Sequence, residues 1–144
     1  MKKLKYITLL IVAITLYSCG EKTPPLNKLI DVNGIYEIKI KAPKNNGSEV
    51  VTFSIMQKDV IDSLGVDEKA LVNIAKSSIS KVKNMAKNPL TFEYSKSGII
   101  SYNKDKNNLM SSVSGSAENS YGVKGSISSM CNYDFKGELI ECLK

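Results

Sequence analysis

The chain has 144 residues, of which 42% are hydrophobic and 7% aromatic, and this length suits one small globular domain. All 20 basic residues are lysine, and the sequence contains no histidine, arginine or tryptophan. Without histidine, most zinc sites and histidine-based catalytic triads are excluded, and without arginine no guanidinium can bind a phosphate or carboxylate at two points. We therefore expect neither an enzyme nor a nucleic-acid-binding protein, and no cofactor or metal.

The first 18 residues are typical of an export signal. Lys2, Lys3 and Lys5 precede an apolar run over residues 7–16, which is too short to span a bilayer comfortably because a spanning helix needs about 20 residues. Removal of residues 1–18 leaves 126 residues and lowers the formal charge from +6 to +3, which is an ordinary surface charge.

The signal ends in Leu16-Tyr17-Ser18-Cys19, which resembles the lipobox of bacterial lipoproteins. The resemblance implies that the sulfur of Cys19 carries a diacylglycerol and that cleavage occurs between Ser18 and Cys19. It also implies a place in the cell envelope, where Gly20 favours the outer membrane, on its periplasmic or its surface face. The alternative is an ordinary secretory signal in which Cys19 only lies near the cut.

Residues 19–33 are predicted to form a tether, because Pro24-Pro25 favours extended backbone, and a single domain is predicted over residues 34–144. Apolar and polar residues alternate over residues 36–41 and 51–55, which is the period of half-buried strands.

A two-residue hairpin turn is predicted at Asn46-Gly47, with positive φ at both positions. In this register Pro43 should donate a hydrogen bond, which proline cannot do. The predicted pairs are Ala42 with Val51, Ile40 with Phe53 and Ile38 with Ile55.

Residues 67–87 predict one amphipathic helix, because apolar residues recur there at three- and four-residue steps. Asp67 and Glu68 open the helix, lysines follow in its second half, and Asn88-Pro89 ends it.

The rest of the chain predicts strands at residues 91–94, 98–103, 108–115, 123–135 and 138–143. A turn at Lys136-Gly137 would place Cys131 opposite Cys142 and Tyr133 opposite Ile140, and an exported protein can form a disulfide there. The predicted register gives the cysteines a hydrogen-bonded position, which suits a bridge less well than the alternative position. A redox-active pair is the competing hypothesis, but it lacks C-x-x-C spacing.

Two other patterns suggest chemistry. Ser78-Ile79-Ser80-Lys81 resembles the S-x-x-K motif of penicillin-binding proteins and serine β-lactamases, in which a lysine activates the serine. The companion motifs stand in the wrong order and the chain is too short for that fold, so we interpret the match as chance. Acidic residues before and within the helix start lack the spacing of a calcium loop and are interpreted as solvated.

The segment Asn119-Ser120-Tyr121-Gly122 lies between two predicted strands. Residues 70–144 resemble a small domain of secreted and lipoprotein-like bacterial proteins, which carries an N-[SA]-[YF]-G turn before a cysteine-bearing strand. This resemblance implies no activity. Asn119 and Tyr121 are the candidate binding residues, and the competing interpretation makes Asn119 and Gly122 turn formers with Tyr121 packed.

Together these patterns predict an α+β fold, with a single amphipathic helix packed on a mainly antiparallel sheet of hairpins. The expected function is non-catalytic: a protein anchored to a membrane by its lipid, which acts as an interaction or accessory module on an envelope protein. The alternative is a lipocalin-like carrier of a lipid or small molecule, which would require a closed barrel around a cavity.

Overall fold

The computed structural model describes residues 25–143, so the predicted signal segment and Cys19 lie outside the described residues. Seven strands form one sheet in which chain order and spatial order are the same. All neighbouring strands are antiparallel except the third and fourth, which are parallel. The strands are β1 (Leu29–Val32), β2 (Ile35–Lys44), β3 (Gly47–Ile55), β4 (Glu93–Asn103), β5 (Asn108–Glu118), β6 (Lys124–Tyr133) and β7 (Leu139–Leu143).

Two helices connect the parallel strands β3 and β4. They are α1 (Lys58–Ser63) and α2 (Glu68–Asn84), and a short 3-10 helix (Pro89–Thr91) follows them. A parallel pair needs such a crossover, because the chain must return from the end of β3 to the end of the sheet at which β3 started. The predicted combination of one main helix with a mostly antiparallel sheet is therefore present, but the sheet is mixed and α1 was not predicted.

Helix α2 packs on one face of the sheet. The side chain of Asp67 accepts a hydrogen bond from the amide of Ala70 at 2.7 Å and so caps the helix where the sequence predicted its start. The helix packs against β2, β4, β5 and β6. Its buried residues are Ala70, Leu71, Val72, Ile74, Ala75, Ser78, Ile79 and Val82.

Strand β1 lies within residues 19–33, which were predicted to form the tether. Leu29 pairs with Ile38 and Val32 pairs with Ile35, so these residues extend the sheet. Only four residues pair in this strand. The segment between Cys19 and the sheet is therefore shorter than predicted.

The predicted register of the β2–β3 hairpin is wrong by two residues. Residues 45–46 form the turn, and the positive φ falls on Gly47 (+110°), which pairs with Lys44. The observed pairs are Ala42 with Glu49, Ile40 with Val51 and Ile38 with Phe53. A shift of two residues keeps every side chain on its predicted face, so the apolar pattern fits both registers.

This register also explains Pro43. The turn hydrogen bond joins Lys44 and Gly47, so the next pair, Pro43 and Ser48, is one that exchanges no hydrogen bonds. The carbonyl of Pro43 points away from β3 and accepts from Nζ of Lys83 at 3.2 Å. The missing N–H therefore costs the sheet nothing.

Strand β4 contains the predicted strand at residues 98–103 and the second half of the one predicted at 91–94, whose first residue lies in the 3-10 helix instead. A register shift between Tyr94 and Gly98 separates the two parts. Phe92 and Tyr94 are both buried before this bulge, with their rings edge to face at 4.8 Å between centroids. Gly98 lies under Phe53, where a Cβ atom would come within 2.6 Å of the ring. The bulge thus lets one strand turn large side chains into the core on both sides of a glycine.

The predicted disulfide between Cys131 and Cys142 is present. Tyr133 pairs with Leu139 rather than with Ile140, because a bulge lies between Asn132 and Tyr133 in the register. The bulge changes the phase of the ladder. The Cα atoms of the two cysteines lie 4.0 Å apart, the close spacing of a pair without mutual hydrogen bonds rather than the hydrogen-bonded position predicted.

Candidate interaction site

Hydrogen bonds to Asn119 fix the loop between β5 and β6. Its Oδ1 accepts from the amides of Tyr121 at 2.9 Å and Val123 at 3.0 Å, and its own amide donates to the carbonyl of Val123 at 2.9 Å. The amide of Gly122, whose φ is +75°, donates to the carbonyl of Asn119 at 3.0 Å. Because the loop itself uses the side-chain oxygen of Asn119, this predicted binding residue shapes the loop.

Tyr121 projects from the fixed loop and is 88% exposed, so the interpretation that packs this ring is wrong. A tyrosine that is held by its backbone and free at its ring loses little conformational entropy on binding, and it offers both an apolar face and a hydroxyl. Of the two predicted binding residues, Tyr121 is the one whose side chain is free of the loop and exposed.

Three more apolar side chains are exposed at the same end of the molecule: Met85, Leu90 (68%) and Val123. Met85 caps the C-terminus of α2, and Leu90 belongs to the 3-10 helix. Thr91 Oγ1 accepts from the amide of Glu118 at 2.9 Å and so ties the 3-10 helix to the end of β5. We call Met85, Leu90, Tyr121 and Val123 the tip.

A depression of about 300 Å³ lies behind the tip. Met85 and Val123 form part of its wall, together with Ala117 and Ile127. No apolar periodicity in the sequence marks Met85 or Leu90 as surface contacts, because both follow the last regular turn of α2 and precede the next strand. Only the fold brings them beside the loop.

Two ion pairs lie on one side of the tip, near Leu90. Lys124 at the start of β6 forms an ion pair with Glu93 at the start of β4, and the hydrogen bond and charge of Lys124 lower the pKa of the Glu93 carboxyl. At the β2–β3 hairpin Lys44 lies 3.4 Å from Glu49. Apolar side chains inside a polar rim are the usual arrangement of a protein–protein contact.

The described chain begins at the tip end of the molecule. Strand β1 runs antiparallel to β2, and the amide of Asn27 donates to the carbonyl of Lys39 at 2.8 Å. Residues 25–28 therefore follow the edge of β2 back toward the β2–β3 turn. That turn shares a surface depression of about 280 Å³ with Leu90.

Ser78, the serine of the S-x-x-K pattern, is a core residue at 1% exposure. Its Oγ lies 2.8 Å from the carbonyl of Ile74, 2.8 Å from Oγ of Ser111 and 3.0 Å from the hydroxyl of Tyr133. Lys81, the lysine of the same pattern, is exposed and therefore does not form the buried serine–lysine pair that the motif requires. The geometry gives Ser78 a structural role in joining α2 to β5 and β6.

Two of the four acidic residues near the helix start have structural partners. Lys58 pairs with Asp62 along α1, and Asp67 caps α2. Within residues 25–143, no three His, Cys, Asp or Glu side chains lie close enough together to hold a metal ion.

No protein-family model, curated protein or solved structure matches this chain. Among the helices of residues 25–143, none is long and apolar enough to cross a membrane.

Proposed function

We propose that this chain is a lipid-anchored, non-catalytic protein of the bacterial cell envelope, and that it acts as an accessory module by docking its tip on an envelope protein. The observation that carries the proposal is the exposed ring of Tyr121 on a loop fixed by Asn119. Exposed tyrosines with apolar neighbours are frequent among the residues that dominate binding energy at protein interfaces. The anchor is Cys19, on the strength of its lipobox, and the outer membrane is the proposed location.

The position of the tip supports a partner in the same membrane. Residues 25–28 lead from β1 toward the tip end, and Cys19 precedes Leu29 by only ten residues. Ten residues of fully extended chain span at most about 35 Å. A tip held this close to the anchor meets proteins embedded in the membrane before it meets proteins far from it.

A carrier function has less support from the same geometry. A lipocalin-like carrier encloses its ligand in a closed barrel. Here β1 and β7 are the two ends of an open strand order, and the apolar side chains of α2 belong to the core on one face of the sheet.

Site-specific crosslinking tests the docking proposal. A photoreactive phenylalanine analogue replaces Tyr121 in one strain and Lys104 in another, because Lys104 is exposed at the opposite end of the sheet. We expect position 121 to crosslink to one envelope protein and position 104 not to do so. Equal crosslinking at both positions, or adducts with lipid alone at position 121, would contradict the proposal.

Substitutions in the tip provide the second test. Leu90→Ala and Tyr121→Ala should leave the unfolding free energy within about 0.5 kcal/mol of the natural protein, since both side chains are exposed. They should nevertheless abolish co-purification, without crosslinking, of the envelope protein that the crosslink from position 121 identifies. Ile35→Ala, which removes an exposed apolar side chain at the opposite end, is the matched control and should have no effect.

The anchor is tested separately. Cys19→Ala should prevent incorporation of labelled palmitate and release the protein from the membrane fraction. Incorporation of palmitate that persists in this variant would overturn the assignment of Cys19.

A further inference from the structure

The sheet has a second face, opposite α2, whose side chains are mostly exposed or half-buried. We call it the open face. One row of paired residues crosses it: Ile99 of β4 pairs with Ser112 of β5, and Ser112 pairs with Met130 of β6. Ile99 is 48% exposed and Met130 40%, although neither lies at an end of its strand. Two large apolar side chains in the middle of the sheet are therefore exposed to solvent.

The open face of β5 and β6 carries no charge. Alternate positions over residues 110–116 and 126–132 point to this face and hold only methionine, serine and asparagine. Charged side chains flank this area at its two ends, where they form ion pairs. The pairs are Lys124 with Glu93 and Lys106 with Glu141.

Strand β2 of the same sheet differs from β5 and β6. Its open-face positions hold Glu37, Lys39 and Lys41, the long charged side chains of a solvated strand. After removal of the predicted signal the chain has a formal charge of +3, so two copies repel each other in general. On the charge-free part of the open face, two copies can approach without desolvating an unpaired lysine.

We propose that the open face binds the same face of a second copy of this chain, with a two-fold axis that runs along β5. This axis sets β4 of one copy over β6 of the other. Ile99 then faces Met130 of the second copy, and Ser112 faces its own equivalent. Strand β3 lies over β7, so the charged positions of β2 remain outside the contact. Two twisted sheets pack face to face in this aligned way, at about −30°.

The overlap has the size of a specific interface. Five strands spaced about 4.8 Å apart and about 25 Å long give roughly 600 Å² from each copy, and a total of about 1,200 Å² is the lower limit for a stable contact. An axis along the strands also leaves both tips at the same end, as two copies anchored in one bilayer require. For this orientation the proposal rests on the proposed anchor, which also concentrates the copies in one membrane.

Cysteine crosslinking of the full lipidated protein in membranes tests the contact. Facing sheets lie about 10 Å apart, so Ser112→Cys on the axis brings two thiols within reach of a short bismaleimide. Cys131 and Cys142 form a disulfide, and the proposed lipid occupies the sulfur of Cys19. We expect a crosslinked homodimer, and many-fold less from Ser80→Cys on the exposed side of α2. Equal yields at the two positions, or a product that contains a different protein, would overturn the proposal.

A charge placed on the open face should break the contact. Ile99→Lys, combined with Ser112→Cys, buries an unpaired ammonium group twice in the symmetric dimer and should lower the crosslinked yield about tenfold or more. The side chain is half-exposed in the single copy, so circular dichroism should show an unchanged fold. Ile35→Lys is the matched control, because Ile35 is 55% exposed on β2, outside the overlap. An unchanged yield with Ile99→Lys would contradict the proposal.

Two differently tagged copies determine which side chains face each other. One copy carries Ile99→Lys, the other carries Met130→Glu, and both carry Ser112→Cys. The opposite charges face each other in the proposed dimer, so crosslinking between unlike copies should exceed crosslinking between like copies several-fold. Ile99→Lys with Ile99→Glu is the matched control, because these two side chains lie two strand spacings apart, about 10 Å. Equal recovery by both combinations would contradict the proposed axis.

The outcome is separable from docking of the tip. The crosslink from position 121 is recorded in the same membranes as the crosslink from position 112. A homodimer that forms while no envelope protein is captured at position 121 counts against docking of the tip alone. Capture at position 121 without a homodimer at position 112 counts against pairing of the open faces alone.

Discussion

At the scale of single residues, the core contains hydroxyl groups that bind one another. Ser78 on α2, Ser111 on β5 and Tyr133 on β6 are all at most 1% exposed, and Ser78 contacts both of the others. A buried hydroxyl that loses its only partners costs about 1–3 kcal/mol. Such a cluster therefore specifies how the helix sits on the sheet, since any other placement leaves polar atoms unpaired.

Ser78→Ala should consequently lower the unfolding free energy by about 1–3 kcal/mol, because the hydroxyls of Ser111 and Tyr133 lose a partner. Chemical denaturation measures the change. Ser80→Ala on the exposed side of the same helix is the matched control and should change stability little. If both variants were equally stable, the cluster would have no role in holding α2 on the sheet.

Tyr94 illustrates the opposite case, in which a buried polar group lowers the stability of the folded protein. Its hydroxyl is buried and unpaired in the described part of the chain, so Tyr94→Phe should raise the unfolding free energy by about 1 kcal/mol at pH 7. The pKa of this hydroxyl is raised to about 12 in the folded protein, so the unfolded chain releases its proton first as the pH rises. The advantage of the variant should therefore widen between about pH 10 and pH 12. An advantage that stays constant with pH, in denaturation curves of the two proteins, would contradict this assignment.

At the scale of elements, the sequence predicted faces better than it predicted registers. Alternation over residues 36–41 and 51–55 places the correct side chains in the core, because the face of a strand depends only on odd or even position. The position of the turn depends on whether positive φ falls on two residues or on Gly47 alone, and Asn46-Gly47 is compatible with both. Helix α1 escaped prediction because its six residues are shorter than two turns and show no periodicity.

The same limit applies to the candidate site. Tyr121 could be selected from its turn motif, but its exposure depends on how Asn119 closes the loop. The position of Leu90 beside the loop could not be predicted, because the 3-10 helix and the end of β5 meet only after the crossover has formed. Contacts between distant parts of the chain leave no local periodicity.

The β6–β7 hairpin depends on its disulfide more than the other hairpins depend on their turns. Strand β7 has five residues, lies at one end of the strand order and is interrupted by a bulge. In the chain-entropy description, a bridge that closes a loop of about a dozen residues stabilises by roughly 3 kcal/mol. The replacement of Cys131 and Cys142 by serine should lower the unfolding free energy by about that amount, measured beside the natural protein with and without reductant. Reductant should destabilise the natural protein and leave the variant unchanged.

At the scale of the whole molecule, the two ends of the sheet differ. The tip, the β2–β3 turn and the first described residues share one end, and the β4–β5 and β6–β7 turns lie at the other. The chain that leads back to Cys19, the proposed anchor, therefore enters the described domain at the end where the tip lies.

The length of the tether tests this arrangement. Insertion of 20 Gly/Ser residues between Pro24 and Pro25 leaves the tip unchanged. The inserted residues add a flexible coil with a root-mean-square end-to-end length of roughly 25 Å. The local concentration of a membrane-embedded partner around the tip falls as the linker lengthens, so the yield of the crosslink from position 121 should decrease several-fold. The same insertion after Lys144 controls for the added sequence and should not change the yield. An unchanged yield with the longer tether would mean that the partner reaches the tip from outside the membrane. Docking through the tip would then stand, but a partner embedded in the same membrane would be ruled out.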